Sequence, residues 1–432
     1  MGQEINRQLF IQAGPIATLT GGNSVNIGPL CGTYSTEPSL VVTQPPSGHP
    51  SGHGFLVEDG MVVKIAPTVE FKAEWLGSSV FENSINLDFK AIIPGFVDSH
   101  THLLWAGDRS NEMRMRQRGM TYAEIADAGG GIRYTVQETR NHQDFDKIVE
   151  SRVKTAISLG TTALEVKSGY GLNTETELRM LEAYSRMQEK YPDITFHITW
   201  MGAHDIPTGQ SRKEYIDTIL SDQLPAVLEQ GYADSVDVFC EPGWFTIEDT
   251  EEICRAAVEG GLGVRLHVDE FVDGGGLDLS SELGARTADH AIHSDEDARH
   301  KSHLNGTLQG FLPGTPYVLG NDHWPPAKKC IENKWAWSLA SDFNPNCQSL
   351  SIPMVGSLAT HRMGVDPIDA LIAATRNSAT TIIAKDAELT EGIFGVGAKA
   401  NFNVLNSQLI ESWCQTPGQS PIAQTYIMGK RY

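Results

Sequence analysis

The chain has 432 residues, of which 40% are hydrophobic and 20% are charged, and its formal net charge is −21. This length suits one large domain with a smaller one beside it. The negative charge argues against nucleic acid or an anionic membrane surface as a partner, because binding to phosphates needs a basic patch. It permits a small anionic substrate, which needs only a local arginine.

The cysteine content and the apolar runs indicate a cellular compartment. The six cysteines are scattered and form no C-x-x-C pair, which favours a reducing environment. No apolar run approaches the ~20 residues of a membrane span, and the first residues contain no basic segment followed by an apolar one. We therefore predict a cytoplasmic protein without a membrane partner.

Both ends of the chain have the sequence character of short strands. Residues 20–54 are rich in Gly, Ser, Thr and Pro and predict a loop or insertion, in which His49 and His53 would be solvated. The next stretch, "GFLVEDGMVVKIAP", predicts a hairpin around Asp59 and Gly60. Similar runs recur in "GIFGVGAKANFNVLN" and "QTYIMGKRY". We expect residues 1–90 and 388–432 to form one small β-sandwich domain.

Residues 91–387 alternate between short apolar runs and helical stretches. Eight runs predict strands: "AIIPGFVDSH", "TTALEVKSG", "ITFHITWMGAH", "SVDVFCE", "GVRLHVDEF", "TADHAIH", "GTLQGFLPG" and "KWAWSLASDFN". Segments between them, such as "NTETELRMLEAYSRMQEKY", have apolar residues at helical spacing. Eight such units predict an α/β fold of the (β/α)8 barrel type. An open doubly wound sheet is the competing architecture, and only the lack of a G-x-G-x-x-G turn after the first strand argues against it.

Chemically active side chains follow the predicted strands at the end where such barrels place their active sites. His100 and His102 follow the first strand, and their i, i+2 spacing turns both imidazoles to the same side. Later strands are followed by Tyr170, His204, Glu241, His267, Glu270, His290 and Asp342. Singly, each has an ordinary structural explanation, such as backbone hydrogen bonds for Glu241 or a turn for Asp342. Their recurrence at one end of successive strands favours a functional site.

A subset of these residues forms a ligand set for a metal ion. His100, His102, His267 and Asp342 offer three nitrogens and one oxygen without a thiolate, which suits zinc or iron. A bound ion lowers the pKa of water from 15.7 to about 7. The pattern therefore predicts one divalent or trivalent ion per subunit and hydrolytic chemistry.

A series of motifs then narrows the assignment. In order along the chain these are "PGFVDSHTH", "AGDR", "AGGGIRYTVQETR", "EVKSGYGL", "GAHDIP", "DVFCEPGWF", "HVDE", "ADH", "FLPG" and "SDFNPN". Together they resemble the imidazolonepropionase family of the amidohydrolase superfamily. The H-x-H motif is shared by many hydrolases, whereas "KSGYGL" combined with "GGGI" and "DFNPN" is much more selective. The resemblance implies hydrolytic opening of 4-imidazolone-5-propanoate to N-formimidoyl-L-glutamate in histidine degradation, and a homodimer.

The resemblance also implies roles for individual residues. The metal ligands are the same four, and the implied substrate contacts are Arg109, Tyr170, His204, Glu270 and Asn344. A guanidinium suits bidentate capture of the propionate carboxylate, with a surface salt bridge as the alternative for Arg109. Glu270 would carry a proton or hold water, and His290 would handle the catalytic water. The choice among Glu270, His290 and Asp342 as the first proton acceptor stays open.

Two departures from the family and three alternatives accompany this interpretation. Many bacterial members carry "DFNPGS", whereas this chain has "DFNPNC", so backbone contacts at Asn346 and Cys347 are not carried over. The family's C-terminal "KAD" is here Lys399-Ala400-Asn401, to which we assign no catalytic role. A deaminase of a heterocyclic base would use the same metal set but has no clear need for Arg109 or Tyr170. A binuclear hydrolase would need a carboxylated lysine on strand four, where the chain has "VFCE". An inactive scaffold would have lost ligands, yet all four positions are filled.

Overall fold

The chain is described here by a computed structural model that covers residues 5–20, 27–32, 42–43, 51–120, 124–125, 128–385 and 387–432. The segments near the two ends contain the strands Arg7–Ala13, Ile16–Ala17, Val42–Thr43, His53–Glu58, Met61–Pro67, Ile85–Asn86, Ile92–Pro94, Phe402–Leu405, Ile422–Ile427 and Lys430–Arg431. They also contain the helices Thr68–Trp75 and Ser79–Glu82 and the 3-10 helix Ile410–Cys414.

The middle of the chain contains the eight predicted strands within the described residues. In order, barrel strands one to eight are Phe96–Asp98, Thr161–Lys167, Thr195–Ala203, Ser235–Cys240, Gly263–Val268, Thr287–His290, Leu308–Phe311 and Trp337–Leu339. Nearly all their residues are buried, as expected for parallel strands covered on both faces. The prediction of eight strands from short apolar runs is thus confirmed.

Helices connect and follow these strands. They are Asn111–Gln117, Gly131–Asn141, Phe145–Ser158, Thr174–Lys190, Arg212–Thr218, Leu224–Gln230, Ile247–Glu259, Gly276–Glu282, Glu296–Asn305, Gly314–Leu319, Ala327–Glu332, Ile352–Met363, Pro367–Ile372 and Ser378–Ile382, with π turns at Ile219–Gln223 and Ala373–Asn377. The predicted helix after strand two begins where the Asn173 side chain accepts a hydrogen bond from Thr176 N. Among the described residues, no helix combines the length and apolar character that crossing a bilayer requires.

The barrel strands form one parallel sheet, because each pairs in parallel with the next. Contacts just beyond strands one and eight join its two edges. Thr101 and Phe343 form a parallel bridge, His102 N donates to the Phe343 carbonyl at 2.9 Å, and Ser341 N donates to Asp98 Oδ1 at 2.9 Å. The predicted (β/α)8 barrel is therefore confirmed, and the ends of all its strands face one mouth.

Two further sheets contain the strands near the chain ends, and the larger of them combines strands from both ends. Among the described residues one sheet has four strands and the other has six, and the larger one pairs Ile92–Pro94 with Phe402–Leu405. The predicted hairpin is present, with positive φ of 47° at Asp59 and 83° at Gly60, as a tight two-residue turn requires. Between the sheets lies a cluster of aromatic rings: Phe10, Phe55, Phe394, Phe402 and Tyr426. This arrangement agrees with the predicted small β-sandwich.

Two local expectations are wrong. His53 is not solvated: it begins the strand His53–Glu58 and is 4% exposed, because the strand starts inside the Gly- and Ser-rich segment. The run over residues 91–100 is two strands that separate at Gly95, where a Cβ atom would lie 2.2 Å from Thr162 Oγ1. Position 49 and most of the proposed 20–54 insertion lie outside the described residues. The exact domain boundaries stay a prediction.

Candidate active site

Three histidines and one aspartate meet at the mouth of the barrel. His102 Nε2 lies 3.3 Å from His267 Nε2 and 3.7 Å from Asp342 Oδ1. His100 Nε2 lies 3.5 Å from the same oxygen. All four side chains are buried. The structure therefore brings together the ligand set that the sequence predicts.

The spacing and protonation of these residues fit a metal ion. A tetrahedral ion with ligand bonds of about 2.0–2.1 Å keeps its ligand atoms about 3.4 Å apart, close to the separations just given. His100 Nε2 is buried and has no hydrogen-bond partner in the described part of the chain. Burial and nearby cationic or histidine groups lower the pKa of His100 and His102 well below the usual value. Both rings are thus neutral and offer lone pairs, as metal binding requires.

Two carboxylates that the sequence patterns did not indicate orient the histidines. Asp289 accepts a hydrogen bond from His100 Nδ1 at 2.7 Å. Asp237 accepts one from His267 Nδ1 at 2.9 Å. Each bond fits a tautomer with the proton on Nδ1, which leaves the Nε2 lone pair directed at the other ligands. In the sequence, Asp237 and Asp289 are visible only as acidic residues inside apolar strands, in "VDVF" and "ADH".

Lys167 on strand two supports one of these carboxylates. Its Nζ atom is fully buried and donates to Asp237 Oδ2 at 2.7 Å and to Glu165 Oε1 at 2.8 Å. Burial acts to raise the pKa of Asp237, but His267 and Lys167 outweigh it and lower that pKa overall. The ammonium group is held as a cation between two carboxylates, so it does not suit carboxylation to a metal-bridging ligand. This geometry speaks against the binuclear alternative.

A cavity of about 350 Å³ opens above the cluster. Every residue predicted to contact the substrate lines this cavity. The polar lining residues are His102, Arg109, Tyr170, His204, His267, Glu270, His290, Thr315, Asp342, Asn344 and Asn346. The apolar lining residues are Ile132, Phe239, Trp244, Phe271 and Leu319. A concave site of this size with a few convergent polar groups suits one small molecule.

Arg109 lies in the cavity wall and forms an internal ion pair. Its Nε and Nη2 atoms donate to the two carboxylate oxygens of Glu112 at 2.7 and 2.8 Å. Both residues are nearly fully buried. Arg109 thus forms a salt bridge, as the structural alternative expects, but the pair lies inside the protein and not at its surface. Glu112 also accepts a hydrogen bond from Gly131 N at 2.8 Å, so it connects the guanidinium to the start of the helix Gly131–Asn141.

Tyr170 and His204 line the cavity beside His102. The His204 ring stacks on His102 with centroids 5.0 Å apart, and Tyr170 meets His204 edge-on at 5.1 Å. His204 Nδ1 donates to the Gly169 carbonyl at 2.9 Å, and Gly169 reaches this conformation with a φ of 105°. Burial and His267 lower the pKa of His204 to about 3. The ring is therefore neutral, and its Nε2 atom is an acceptor.

Glu270 and His290 face each other next to the ligand set. Glu270 Oε2 lies 3.5 Å from His290 Nε2. Burial, with Asp342 and Glu241 nearby, raises the pKa of Glu270 well above its usual value. Burial and His267 lower the pKa of His290 well below its usual value. A carboxyl group that holds protons more readily thus lies beside a neutral imidazole.

The backbone at two of these residues has an uncommon conformation. His290 has a φ of 67° and Asp342 a φ of 51°, in the left-handed region that side chains other than glycine rarely adopt. Such residues occur disproportionately at active sites, where the surrounding structure holds them. Asp342 is held through its side chain as well, because Thr315 Oγ1 donates to Asp342 Oδ2.

The loop after strand eight uses Asn344 as an internal brace. Asn344 Oδ1 accepts from Asn346 N at 2.8 Å and from Cys347 N at 3.1 Å, and Nδ2 donates to the Asp342 carbonyl at 2.9 Å. The two positions that depart from the family pattern, 346 and 347, therefore contribute their backbone N–H groups to this turn. Asn344 still borders the cavity, as predicted.

Similarity to known proteins agrees with the geometry of the site. No family model matches the chain. The imidazolonepropionase of Symbiobacterium thermophilum is 36% identical over 405 residues, which cover 92% of this chain and 91% of that protein. The chain belongs to the imidazolonepropionase family.

A human relative and a solved structure extend this result. The probable imidazolonepropionase of Homo sapiens is 37% identical over 357 residues, covering 81% of this chain and 82% of that protein. The structure of guanine deaminase from C. acetobutylicum with bound guanine superposes with a TM-score of 0.65 over 99% of this chain and all of that one, at 15% identity. That likeness shows that this chain has the same fold as that protein.

Proposed function

We propose that this chain opens the ring of 4-imidazolone-5-propanoate with water and produces N-formimidoyl-L-glutamate, a step of histidine degradation. The observation that carries the proposal is the 36% identity to an imidazolonepropionase over nearly the full length of both chains. The cavity supports it, because a cationic side chain and a metal-binding cluster face the same small space. The substrate needs both, since it has a carboxylate tail and a cyclic amide.

His100, His102, His267 and Asp342 would hold one ion, for which their nitrogen and oxygen donors favour zinc or iron. When bound, such an ion supplies Lewis acidity that lowers the pKa of water from 15.7 to about 7. Asp289 and Asp237 keep the Nε2 atoms of His100 and His267 directed at the site. A cytoplasmic location and a homodimer stay predictions from the sequence.

Binding and orientation fall to the cavity wall. Arg109, fixed by Glu112, binds the propionate carboxylate. His204 Nε2 accepts a hydrogen bond from a ring N–H, because its Nδ1 proton is already donated to the Gly169 carbonyl. Tyr170 and the apolar side of the cavity enclose the ring and exclude bulk water. Together these contacts orient the reacting carbonyl toward the histidine cluster.

Proton transfer falls to Glu270, with His290 beside it. The oxygen of water forms a bond to the ring carbonyl carbon, and Glu270 takes a proton from that water. The carbon–nitrogen bond of the ring then breaks, and Glu270 returns the proton to the departing nitrogen. Neutral His290, 3.5 Å from Glu270, hydrogen-bonds the water before it reacts. The raised pKa of Glu270 suits a group that both accepts and returns a proton near neutral pH.

The proposal is tested by turnover of two imidazolones. The metal-loaded chain should consume 4-imidazolone-5-propanoate, followed by loss of the ring absorbance, and should act poorly on an imidazolone that lacks the propionate tail. Guanine and cytosine serve as the comparison for the deaminase alternative. Faster turnover of a tail-less ring or of a nucleobase would contradict the proposal.

A further inference from the structure

Glu241 is a buried carboxylate that holds the backbone beside Glu270. It lies at the end of barrel strand four and is 1% exposed. Its Oε2 atom accepts a hydrogen bond from Glu270 N at 2.9 Å. Its Oε1 atom accepts from Phe271 N and from Val272 N, both at 3.0 Å. Three successive N–H groups that point to one place form a concave anion site, which here is filled by a side chain of the protein itself.

The carboxylate of Glu270 has little else to fix it. In the described part of the chain it makes no hydrogen bond, and its contact with His290 is 3.5 Å long. The place of this side chain in the cavity therefore depends on the backbone of residue 270, and that backbone is hydrogen-bonded to Glu241. We infer that Glu241 is a positioning residue that holds Glu270 against the reacting atoms. The inference rests on the proposed role of Glu270.

Packing joins the same two loops a second time. The ring of Phe271 stacks on Trp244 with centroids 5.8 Å apart and an interplanar angle of 27°. Trp244 N donates to the backbone carbonyl of Glu241 at 2.9 Å. The loops after strands four and five are thus connected by a carboxylate on one side and by an aromatic pair on the other. This connection restricts Glu270 more than a single contact would.

The same arrangement recurs beneath another cavity residue. Glu177, fully buried, accepts from Gly169 N at 3.0 Å, from Gly171 N at 2.7 Å and from Leu172 N at 2.9 Å. These three N–H groups flank Tyr170. Two separate loops of the mouth are therefore each held by one buried glutamate, which indicates a common way of positioning side chains in this site.

The isosteric variant Glu241→Gln tests the inference. If the amide keeps the two bonds at Oε1, its NH2 group faces the N–H of Glu270, and two donors oppose each other. Residue 270 should then move, and kcat should fall about ten- to a hundredfold, since a displacement of about 1 Å costs up to about 10²-fold. KM should change less, and metal content should stay as in wild type. Amide hydrogen exchange in residues 269–273 should become faster.

Glu391→Gln is the matched control. Glu391 is equally buried and equally hydrogen-bonded, to Thr195, Lys399 and Asn401, but it does not border the cavity. The Glu391→Gln variant should keep the wild-type kcat even if its melting temperature changes. If Glu241→Gln does not fold, Glu241→Asp replaces it, because the shorter side chain cannot span all three N–H groups, and the same fall in kcat is expected.

The double variant with Glu270→Gln separates positioning from a general structural effect. If Glu241 acts through Glu270, adding Glu241→Gln to Glu270→Gln should lower kcat no further. Losses that multiply, or a wild-type kcat and wild-type exchange in Glu241→Gln, would overturn the inference. A fully active Glu270→Gln would instead overturn the proposed role of Glu270. The two failures are thus distinguishable.

Discussion

The mouth of the barrel and the sandwich at the chain ends are both buried, but different forces build them. In the sandwich, five aromatic rings pack with centroid distances such as 4.7 Å for Phe10 with Phe55 and 4.6 Å for Phe402 with Tyr426. In the mouth, buried histidines and loops are held by carboxylates such as Asp289 and Glu241. Ring packing tolerates changes that conserve volume. Where a buried carboxylate holds a group in place, the loss of that one acceptor leaves the group without its hydrogen bond and is costly.

The largest effect in this comparison is expected from a metal ligand. His267→Ala should abolish both bound metal and turnover, because three remaining donors hold an ion poorly. Metal analysis and an activity assay on the same preparation measure this. A His267→Ala protein with full metal and the wild-type rate would show that His267 is not a ligand.

Removal of His290 should have the next largest effect. His290→Ala should lower kcat by roughly 10²- to 10⁴-fold, the usual contribution of a positioned acid–base group, and should leave the metal in place. The measurement is kcat at saturating substrate together with metal content. An unchanged kcat would make His290 a structural residue.

A smaller loss is expected at Arg109. Arg109→Ala should lower kcat/KM on 4-imidazolone-5-propanoate roughly ten- to a hundredfold, because a charge-assisted bidentate pair is worth about 1.5–3 kcal/mol. It should hardly change the slow turnover of a tail-less imidazolone. Arg109→Lys should recover part of the activity, since an ammonium cannot reproduce the planar fork.

The same variant has a predicted side effect that serves as its internal check. Arg109→Ala leaves the buried carboxylate of Glu112 without its partner, so the melting temperature should fall as well. Arg109→Ala with wild-type kcat/KM on the full substrate would rule out capture of the carboxylate by this residue, whatever its melting temperature.

A change in the sandwich should affect stability and leave catalysis alone. Phe402→Ala removes a fully buried ring from the aromatic cluster and should lower the free energy of unfolding by about 3–5 kcal/mol. Denaturant unfolding measures this, with Phe402→Leu as the milder control. The kcat of the folded fraction should match wild type. A strong fall in kcat would show that the two regions are not independent.

The smallest effect concerns the pH dependence of stability through His53. Burial lowers the pKa of His53 below its usual 6.5, so the unfolded chain takes up a proton more readily than the folded one. The stability that the neutral, buried His53 contributes is therefore fully present above pH 6.5. It is lost as the pH falls from 6.5 toward the lowered pKa of His53 in the folded chain. Between about pH 7 and about pH 5, the melting temperature of His53→Gln should therefore fall less than that of wild type.

The exposed His361→Gln is the control for this prediction and should follow wild type. Equal slopes for His53→Gln and wild type would indicate that the burial of His53 does not influence its protonation. The result also bears on a histidine that the sequence patterns wrongly placed in solvent.

What the sequence reveals differs between the two regions for physical reasons. The eight strands and the residues at their ends were predictable, because strand periodicity is local and the ends of parallel strands meet. Asp289 was not, because its partner His100 lies 189 residues away in the chain. The backbone N–H groups that donate hydrogen bonds to Glu241 lie about 30 residues away, in the loop after strand five. Such pairings follow from the closed barrel and leave no periodic pattern.

The environment of His53 could not be predicted for a related reason. Glycine, serine and proline favour loops on average, and the segment before residue 53 is rich in all three. The strand His53–Glu58 is nevertheless stabilised by pairing on both sides, with Arg7–Ala13 and with Met61–Pro67. Tertiary pairing of this kind outweighs the local preference of the first residue in a strand.

The most direct test of ring opening by water is a product analysis in oxygen-18-labelled water. The chain is loaded with metal, given 4-imidazolone-5-propanoate, and its product is analysed by mass spectrometry while free ammonia is measured. We predict one labelled oxygen per product molecule, located in the new carboxylate, with no ammonia released by the enzyme. Release of one ammonia per turnover with the ring still closed would contradict the account and make the chain a deaminase.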